Sequence, residues 1–276
     1  METLVAEIKP NTSAWSSDAR HVEAFASIVD AITELSEKYE IPFEEAVEYA
    51  ENWLSFALSE YFGLDIQVYL KGKCSILVFF QSKVEELKIY KIKKEALKHA
   101  KEYLEYRFQC LHAYKVFEDA RKVVKTVVYA KVIRTINQTV YARFHNPHAV
   151  TEGGRVLIGS CPLEHQTPKE RGTYREGMIL PFFVTSVRGI VDGKVPRVII
   201  TLSRNSISLP EVLLREILQS NGIFTRIRAV RRIAGAYTEI HAEEKIPKEF
   251  IKQVSQILKE GIIVKYGESD IQINNF

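Results

Sequence analysis

YREGMILPFFVTSVRGIVDGKVPRVIITLSR, residues 174–204, reads as a β-hairpin. Ile179 to Val187 is an apolar, partly alternating run, Gly189 to Gly193 supplies turn chemistry, and Val198 to Leu202 is a second β-branched run. Arg175, Arg188, Arg197 and Arg204 flank the strands, with Phe182 and Phe183 inside. Basic side chains beside aromatic rings on a small sheet suit single-stranded nucleic acid, because phosphates need cations and splayed bases need π faces. Inward-facing aromatics also occur in every barrel core, and for an aromatic pair alone that is the commoner outcome.

Working backward from the hairpin, the period is strand-like from Thr126. Val127 to Arg134 and Thr139 to Phe144 read as strands around an Asn137-Gln138 turn, and Arg155 to Ile158 as a short third strand. With the hairpin this makes about five strands and long loops, which fits a small OB-type barrel. Working forward, Pro210 opens a helix through Leu218, ended by Asn221-Gly222. Phe224 to Ile233 and Ala236 to Ala242 read as strands around Ala234-Gly235. Pro247 to Lys259 is an amphipathic helix, and Ile262 to Tyr266 a last strand, giving an α-β-β-α-β unit.

Upstream, Lys93 to Val124 is a basic helical tract with an apolar stripe at Ala96, Leu97, Ala100, Leu104, Phe108, Leu111 and Val116. Its Lys/Arg face reads first as a solvated face and second as an RNA contact. Before it, His21 to Glu40 carries apolar residues at one-face helical spacing. Pro42 opens a second helix with Ala46, Val47, Ala50, Trp53, Leu54, Ala57, Leu58 and Tyr61 inside and Gly63 as its stop. Asp65 to Leu70 and Ser75 to Phe80 form a hairpin around Lys71-Gly72-Lys73. The expected fold is therefore multidomain α+β: an α/β head with its connector helix over residues 1–125, a barrel over 126–206 and an α-β-β-α-β unit over 207–276.

Composition bounds the function. The 276 residues are 46% hydrophobic and 26% charged, as in ordinary globular proteins. No apolar run approaches the ~20 residues that span a bilayer. The first residues, METLVAEIKPNTSAW, lack a basic segment followed by an apolar core, so no secretory signal is expected. Cys74, Cys110 and Cys161 are odd in number and far apart, which favours a reducing cytoplasm over a disulfide or zinc framework. The net charge of +3 is unevenly spread: residues 1–90 hold 7 Lys/Arg against 16 Asp/Glu, a balance of −9, and residues 91–134 hold 12 against 5, a balance of +7. An acidic head on a basic body implies either two unlike partners, a basic protein surface and a polyanion, or two solvated surfaces of opposite sign.

The sharpest local signal is Arg226, Arg228, Arg231 and Arg232 on one strand. Strict alternation puts Arg226, Arg228 and Arg232 on one face and Arg231 on the other. Three guanidiniums on a face can hold successive phosphates, or they can pair with Glu239, Glu243 and Glu244 of the next strand. In the barrel, Tyr141, Arg143, Phe144 and His145 lie where such folds bind nucleic acid. Tyr141 and Phe144 cannot both point outward on a regular strand, so at least one belongs to the core. Catalytic signatures are weak. His145 and His148 have no carboxylate or cysteine at ligand spacing, the Glu44-Glu45 pair lies on a helix exterior, and no Gly-Lys-Ser/Thr follows Gly153-Gly154. A non-enzymatic binding protein without cofactor or metal is expected.

The order of parts resembles that of the bacterial transcription factor family NusA. IPFEEAVEYAENWLSFALSEYFG is similar to that family's head, TYREGMILPFFVTSV to its barrel segment, RVIITLSR to its barrel-ending Ile-x-Leu-Ser-Arg, and FTRIRAVRRIAGAYTEIHA to the first two strands of its first KH domain. The resemblance covers residues 20 to about 242 and implies an RNA-binding transcription elongation factor that modulates pausing, termination or antitermination. RNA polymerase would be bound through the acidic head and nascent single-stranded RNA through the body, with other antitermination factors as further candidate partners. The RNA contacts so implied are Tyr141, Arg143, Phe144, His145, Phe182, Arg188, Arg204, Arg226, Arg228, Arg231 and Arg232. The chain departs from the family in having no Gly-x-x-Gly anywhere in residues 211–276, the loop through which KH domains approach phosphates, and in having one helix after the second strand of the unit. A shortened or divergent NusA-like protein is the expectation, with a non-enzymatic RNA module of translation or RNA decay as the alternative.

Overall fold

The structure, a computed structural model, describes residues 19–72, 74–80, 83–145 and 156–267. Among them the chain is mixed α+β, with five α-helices, two three-stranded sheets and a closed five-stranded barrel. It divides into two compact units, one drawn from Met1–Lys115 and Val191–Arg197, the other from Val116–Ile190 and Val198–Phe276.

The first unit begins with α1 (Ala19–Lys38) and α2 (Phe43–Phe62). Pro42 precedes α2, and Gly63 ends it at φ 65°, a left-handed position that glycine adopts without a Cβ penalty. The strands β1 (Asp65–Tyr69), β2 (Ser75–Phe80) and β3 (Lys83–Glu86) pair antiparallel in the order β1-β2-β3. The expected hairpin is thus extended by a third strand. Its sequence, KVEE, is exposed at all four positions and carries no alternation by which it could be read.

The free edge of β1 is covered by side chains of α2. Ser59, Ser55 and Glu51 accept hydrogen bonds from the backbone N–H groups of Ile66, Val68 and Leu70 at 2.9, 2.8 and 2.7 Å. Residues four apart on a helix rise about 6 Å and residues two apart on a strand nearly 7 Å, so the two rows stay in step. This satisfies donors that would otherwise invite another strand. The helix α3 (Lys94–Arg121) then buries Ala96, Ala100, Leu104 and Phe108 in the core formed by α1, α2 and the sheet, as its apolar stripe predicts.

In the second unit, β4 (Val127–Ile136), β5 (Thr139–Phe144), β6 (Ile158–Cys161), β7 (Ile179–Asp192) and β8 (Val195–Ser203) close into a barrel in the order β4-β5-β6-β8-β7. All the registered pairings are antiparallel except β6 with β8, which meet in parallel through Ser160 and Thr201. The third strand lies later than Arg155 to Ile158; Arg155, like Gly153-Gly154 and His148, is outside the described residues. At Gly159 a Cβ would stand 2.5 Å from Cγ of Leu202, so a larger residue there would force the Leu202 side chain to shift.

Alternation along β4 serves two cores. Val128, Ala130 and Val132 fill the barrel with Val140, Ala142, Phe182 and Leu202. Val127 and Tyr129 face outward and, with Phe183, join the core of the segment that follows. That segment comprises α4 (Ser208–Ser220), β9 (Ile227–Ile233), β10 (Tyr237–Ala242), α5 (Lys248–Leu258) and β11 (Gly261–Tyr266). Its sheet has the order β11-β10-β9, antiparallel between β9 and β10 and parallel between β10 and β11. The helix α4 starts two residues before Pro210, and β9 starts at Ile227 rather than Phe224. Ile227, Ala229, Ile240 and Ala242 are buried with Leu213, Leu214, Val254 and Leu258 of the two helices.

Candidate nucleic-acid interface

Two solvent-facing surfaces carry the expected cations. On the barrel, register places Lys131 opposite Arg143 and Arg143 opposite Ile158, with Ile179 on the other side of Lys131. The next row is Arg134, Tyr141 and Ser160. Ile133 is left without a partner by a register shift in β4, and this bulge brings Arg134 onto the same face as Lys131. The Arg134 guanidinium lies 5.7 Å from the centroid of the half-buried Tyr141 ring. Among the described residues none of Lys131, Arg134 and Arg143 makes an ion pair. A patch of three uncompensated cations around one ring can hold phosphates by charge-assisted bonds and a base by stacking. His145 is exposed just beyond β5, and Arg188 is exposed far along β7. Phe144, by contrast, packs on the barrel core, so Tyr141 is the outward ring of the two.

The second surface is the outer face of β9, β10 and β11. Here strict alternation fails. Arg231 pairs with Glu239 and Ala229 with Ile240, leaving Val230 as a bulge. Beyond it the faces are exchanged, and Arg231 rather than Arg232 joins Arg228 outside. Arg228 lies opposite His241, and His241 opposite Lys265. Arg231 lies 5.8 Å from the Tyr237 ring centroid. Lys265 is 2.6 Å from Glu239 and, as the nearest cation, holds that carboxyl below its usual value. Arg226 pairs with Glu243 at 3.4 Å in an exposed position, where such a pair contributes little.

Three of the expected contacts are interior. The Arg232 side chain is 2% exposed and meets the Glu260 carboxylate, 0% exposed, through Nε at 3.0 Å and Nη2 at 3.2 Å. The same carboxylate accepts the Thr238 hydroxyl and the Gly235 N–H, both at 2.8 Å. Arg232 also donates to the Ser206 carbonyl. Arg204, which ends RVIITLSR, is 1% exposed. It holds Glu170 in a two-pronged pair at 3.0 and 2.5 Å and donates to the Pro181 carbonyl at 2.7 Å. Tyr174 donates to the same Glu170 at 3.1 Å, and burial, with the nearby charge, pushes its phenol well up. Phe182 is fully buried, with the Arg204 guanidinium 6.0 Å from its centroid. Phe182, Arg204 and Arg232 therefore cannot meet RNA while the unit is folded. The hairpin's Tyr174 and Arg204 thus share a buried ionic network centred on Glu170.

Sequence reasoning missed Lys131, Arg134, Tyr237 and Lys265 as surface partners. Each is one member of a cross-strand row, and rows become visible only once register is known. In the first unit, Glu23, Asp30, Glu34 and Glu37 are exposed on α1, and their spacing of seven, four and three residues sets them in one stripe. None of the four makes an ion pair among the described residues. No helix among those residues is long and apolar enough to cross a membrane. No group of three or more His, Cys, Asp and Glu among them could hold a metal ion. A scan against protein-family models returns no match to this chain, and a search of curated proteins returns none.

Proposed function

We propose that this chain is a cytoplasmic, non-enzymatic RNA-binding elongation factor of NusA type, which binds RNA polymerase and modulates pausing, termination or antitermination. The observation that carries the proposal is the barrel patch in which Lys131, Arg134 and Arg143 surround Tyr141 without a carboxylate among them. A closed five-stranded barrel of this order supports assignment as an OB-type fold, whose ligand face is formed by its second and third strands, here β5 and β6. The α-β-β-α-β segment is read as KH-like and shortened. In the first unit, the acidic stripe on α1 supports docking on a basic protein surface. The factor works by positioning: cations and a ring bias the path of emerging RNA, so that hairpins behind a paused polymerase form sooner or later, with no bond made or broken.

The test is the lifetime of a hairpin-stabilised pause by the cognate polymerase, measured with and without the full chain. Charge reversal at Glu23, Asp30 and Glu34 is expected to remove the effect while leaving RNA binding intact, because these carboxylates lie on the exposed face of α1. An unchanged pause lifetime alongside tight RNA binding would move the assignment to a free RNA-binding module of translation or decay.

A further inference from the structure

We propose that the outer face of β9–β10–β11 is a second platform for single-stranded RNA, one that grips by sheet-face contact; this rests on the RNA-binding reading above. One face of this sheet is committed to the helices, through Ile227, Ala229, Ile240 and Ala242. The other presents three rows. Arg228, His241 and Lys265 form a polar row that crosses all three strands, about 10 Å. Arg231, Glu239 and Ile263 form the next, and Ile233, Tyr237 and Gly261 the last. Ile233 and Ile263 are 45% and 48% exposed.

Three observations select RNA as the occupant. Cations outnumber carboxylates three to one, since Glu239 is the sole acidic residue in these rows and Lys265 already accompanies it. Arg228 has no anionic partner among the described residues, so a ligand phosphate would meet no competitor there. Tyr237 lies beside this charge, and Gly261, next to it on β11, adds no side chain to cover the ring. Aromatic surface beside uncompensated cations is the combination that single strands use, stacking for bases and charge for phosphates. The Val230 bulge makes the arrangement possible, because it brings Arg231 to the same side as Arg228. The platform stands in place of the missing Gly-x-x-Gly contact, which needs close backbone approach rather than side chains.

The experiment titrates the full chain against a fluorescein-labelled oligouridylate of about 20 nucleotides, followed by fluorescence anisotropy across a salt series. The combined variant Arg228→Ala, Arg231→Ala is expected to flatten the slope of log affinity against log salt by about 1.4, at roughly 0.7 per phosphate contact on a single strand. Tyr237→Ala is expected to weaken binding about tenfold with the slope unchanged, and Tyr237→Phe to bind as the parent does. Arg228→Ala alone, at an exposed position, keeps the test open if the double variant fails to fold; its slope should flatten by about 0.7. The comparison is the barrel variant Lys131→Ala, Arg134→Ala, Arg143→Ala. If that variant binds more weakly while the sheet variants keep parental affinity and slope, the platform is overturned and the face falls to a protein partner. If the parent chain does not bind the RNA, both the platform and the RNA-binding reading are overturned.

Discussion

Replacing Glu260 by Ala removes the centre of the buried cluster at the turn end of β9 and β10. Four hydrogen bonds end on this carboxylate, from Arg232 Nε and Nη2, the Thr238 hydroxyl and the Gly235 N–H. With side chains 2% and 0% exposed, solvent does not screen the pair. The substitution leaves a buried guanidinium whose remaining partner is the Ser206 carbonyl, and it strands a hydroxyl and an N–H. Breaking a buried pair by removing one partner costs about 3–5 kcal/mol, and we expect ~4 kcal/mol here. Because the chain has two units, a single global unfolding transition is a poor readout. Native-state hydrogen exchange at the Ile240 amide, in the central strand of this sheet, reports the local opening free energy instead. Arg232→Leu combined with Glu260→Leu should cost at least about 2 kcal/mol less than the sum of the two single variants, since neither charge then remains buried alone. A loss below about 1 kcal/mol in Glu260→Ala, or strict additivity in the double variant, would refute a cooperative buried pair.

Gly159→Ala should destabilise the barrel by about 1–3 kcal/mol, because the new methyl group meets Leu202 Cγ at 2.5 Å; native-state hydrogen exchange at the Ala142 amide, which lies opposite Gly159 on β5, checks this, and a neutral result would mean that Leu202 can move aside. In the folded chain iodoacetamide at mild alkaline pH should modify Cys110 well before the others, as mapped by mass spectrometry. Cys74 and Cys161 are 1% and 0% exposed, and burial pushes their thiols up to about 11 and about 12. Burial pushes the Glu170 carboxyl up, but the hydrogen bonds and charge of Arg204 outweigh it and hold the folded pKa below the ordinary value. The stability from this pair is therefore complete above the ordinary carboxylate range and is lost as pH falls through the lowered pKa. Acid titration of the barrel's opening free energy, followed by native-state hydrogen exchange in β7, should show the loss below about pH 4, and Glu170→Gln should flatten that limb.

Much of the architecture was legible because it is written in local periods. The stripe from Ala96 to Phe108 fixes the buried side of α3, and Asn137-Gln138 does form the turn between β4 and β5, with both residues at positive φ. The Gln138 carbonyl is held there by the Gln166 side-chain amide at 2.6 Å, a partner 28 residues away that no local reading finds. The failures share that character. The strand β3 is polar and exposed throughout, so nothing in KVEE separates it from a loop. Arg204 reads as a surface cation until Glu170, 34 residues earlier, is seen to meet it inside the fold. Arg231 and Arg232 exchange sides because one unpaired residue upstream shifts the alternation, and period-2 reasoning is blind to a single extra residue.

That extra residue has an evolutionary reading. Val230 is the one position between Ile227 and Ile233 with no partner on β10, and the residue is 42% exposed. Excising it would leave Ala229 against Ile240, Arg231 against Glu239 and Arg232 against Thr238, so a shorter β9 preserves both the interior pair and the outward cation. Inserting a residue after Arg231 would instead carry Arg232 to the wrong side of the sheet. Lineages of this chain should therefore tolerate shortening of β9 at Val230 far better than lengthening it between the two arginines, an asymmetry set by hydrogen-bond register and invisible to residue-by-residue comparison.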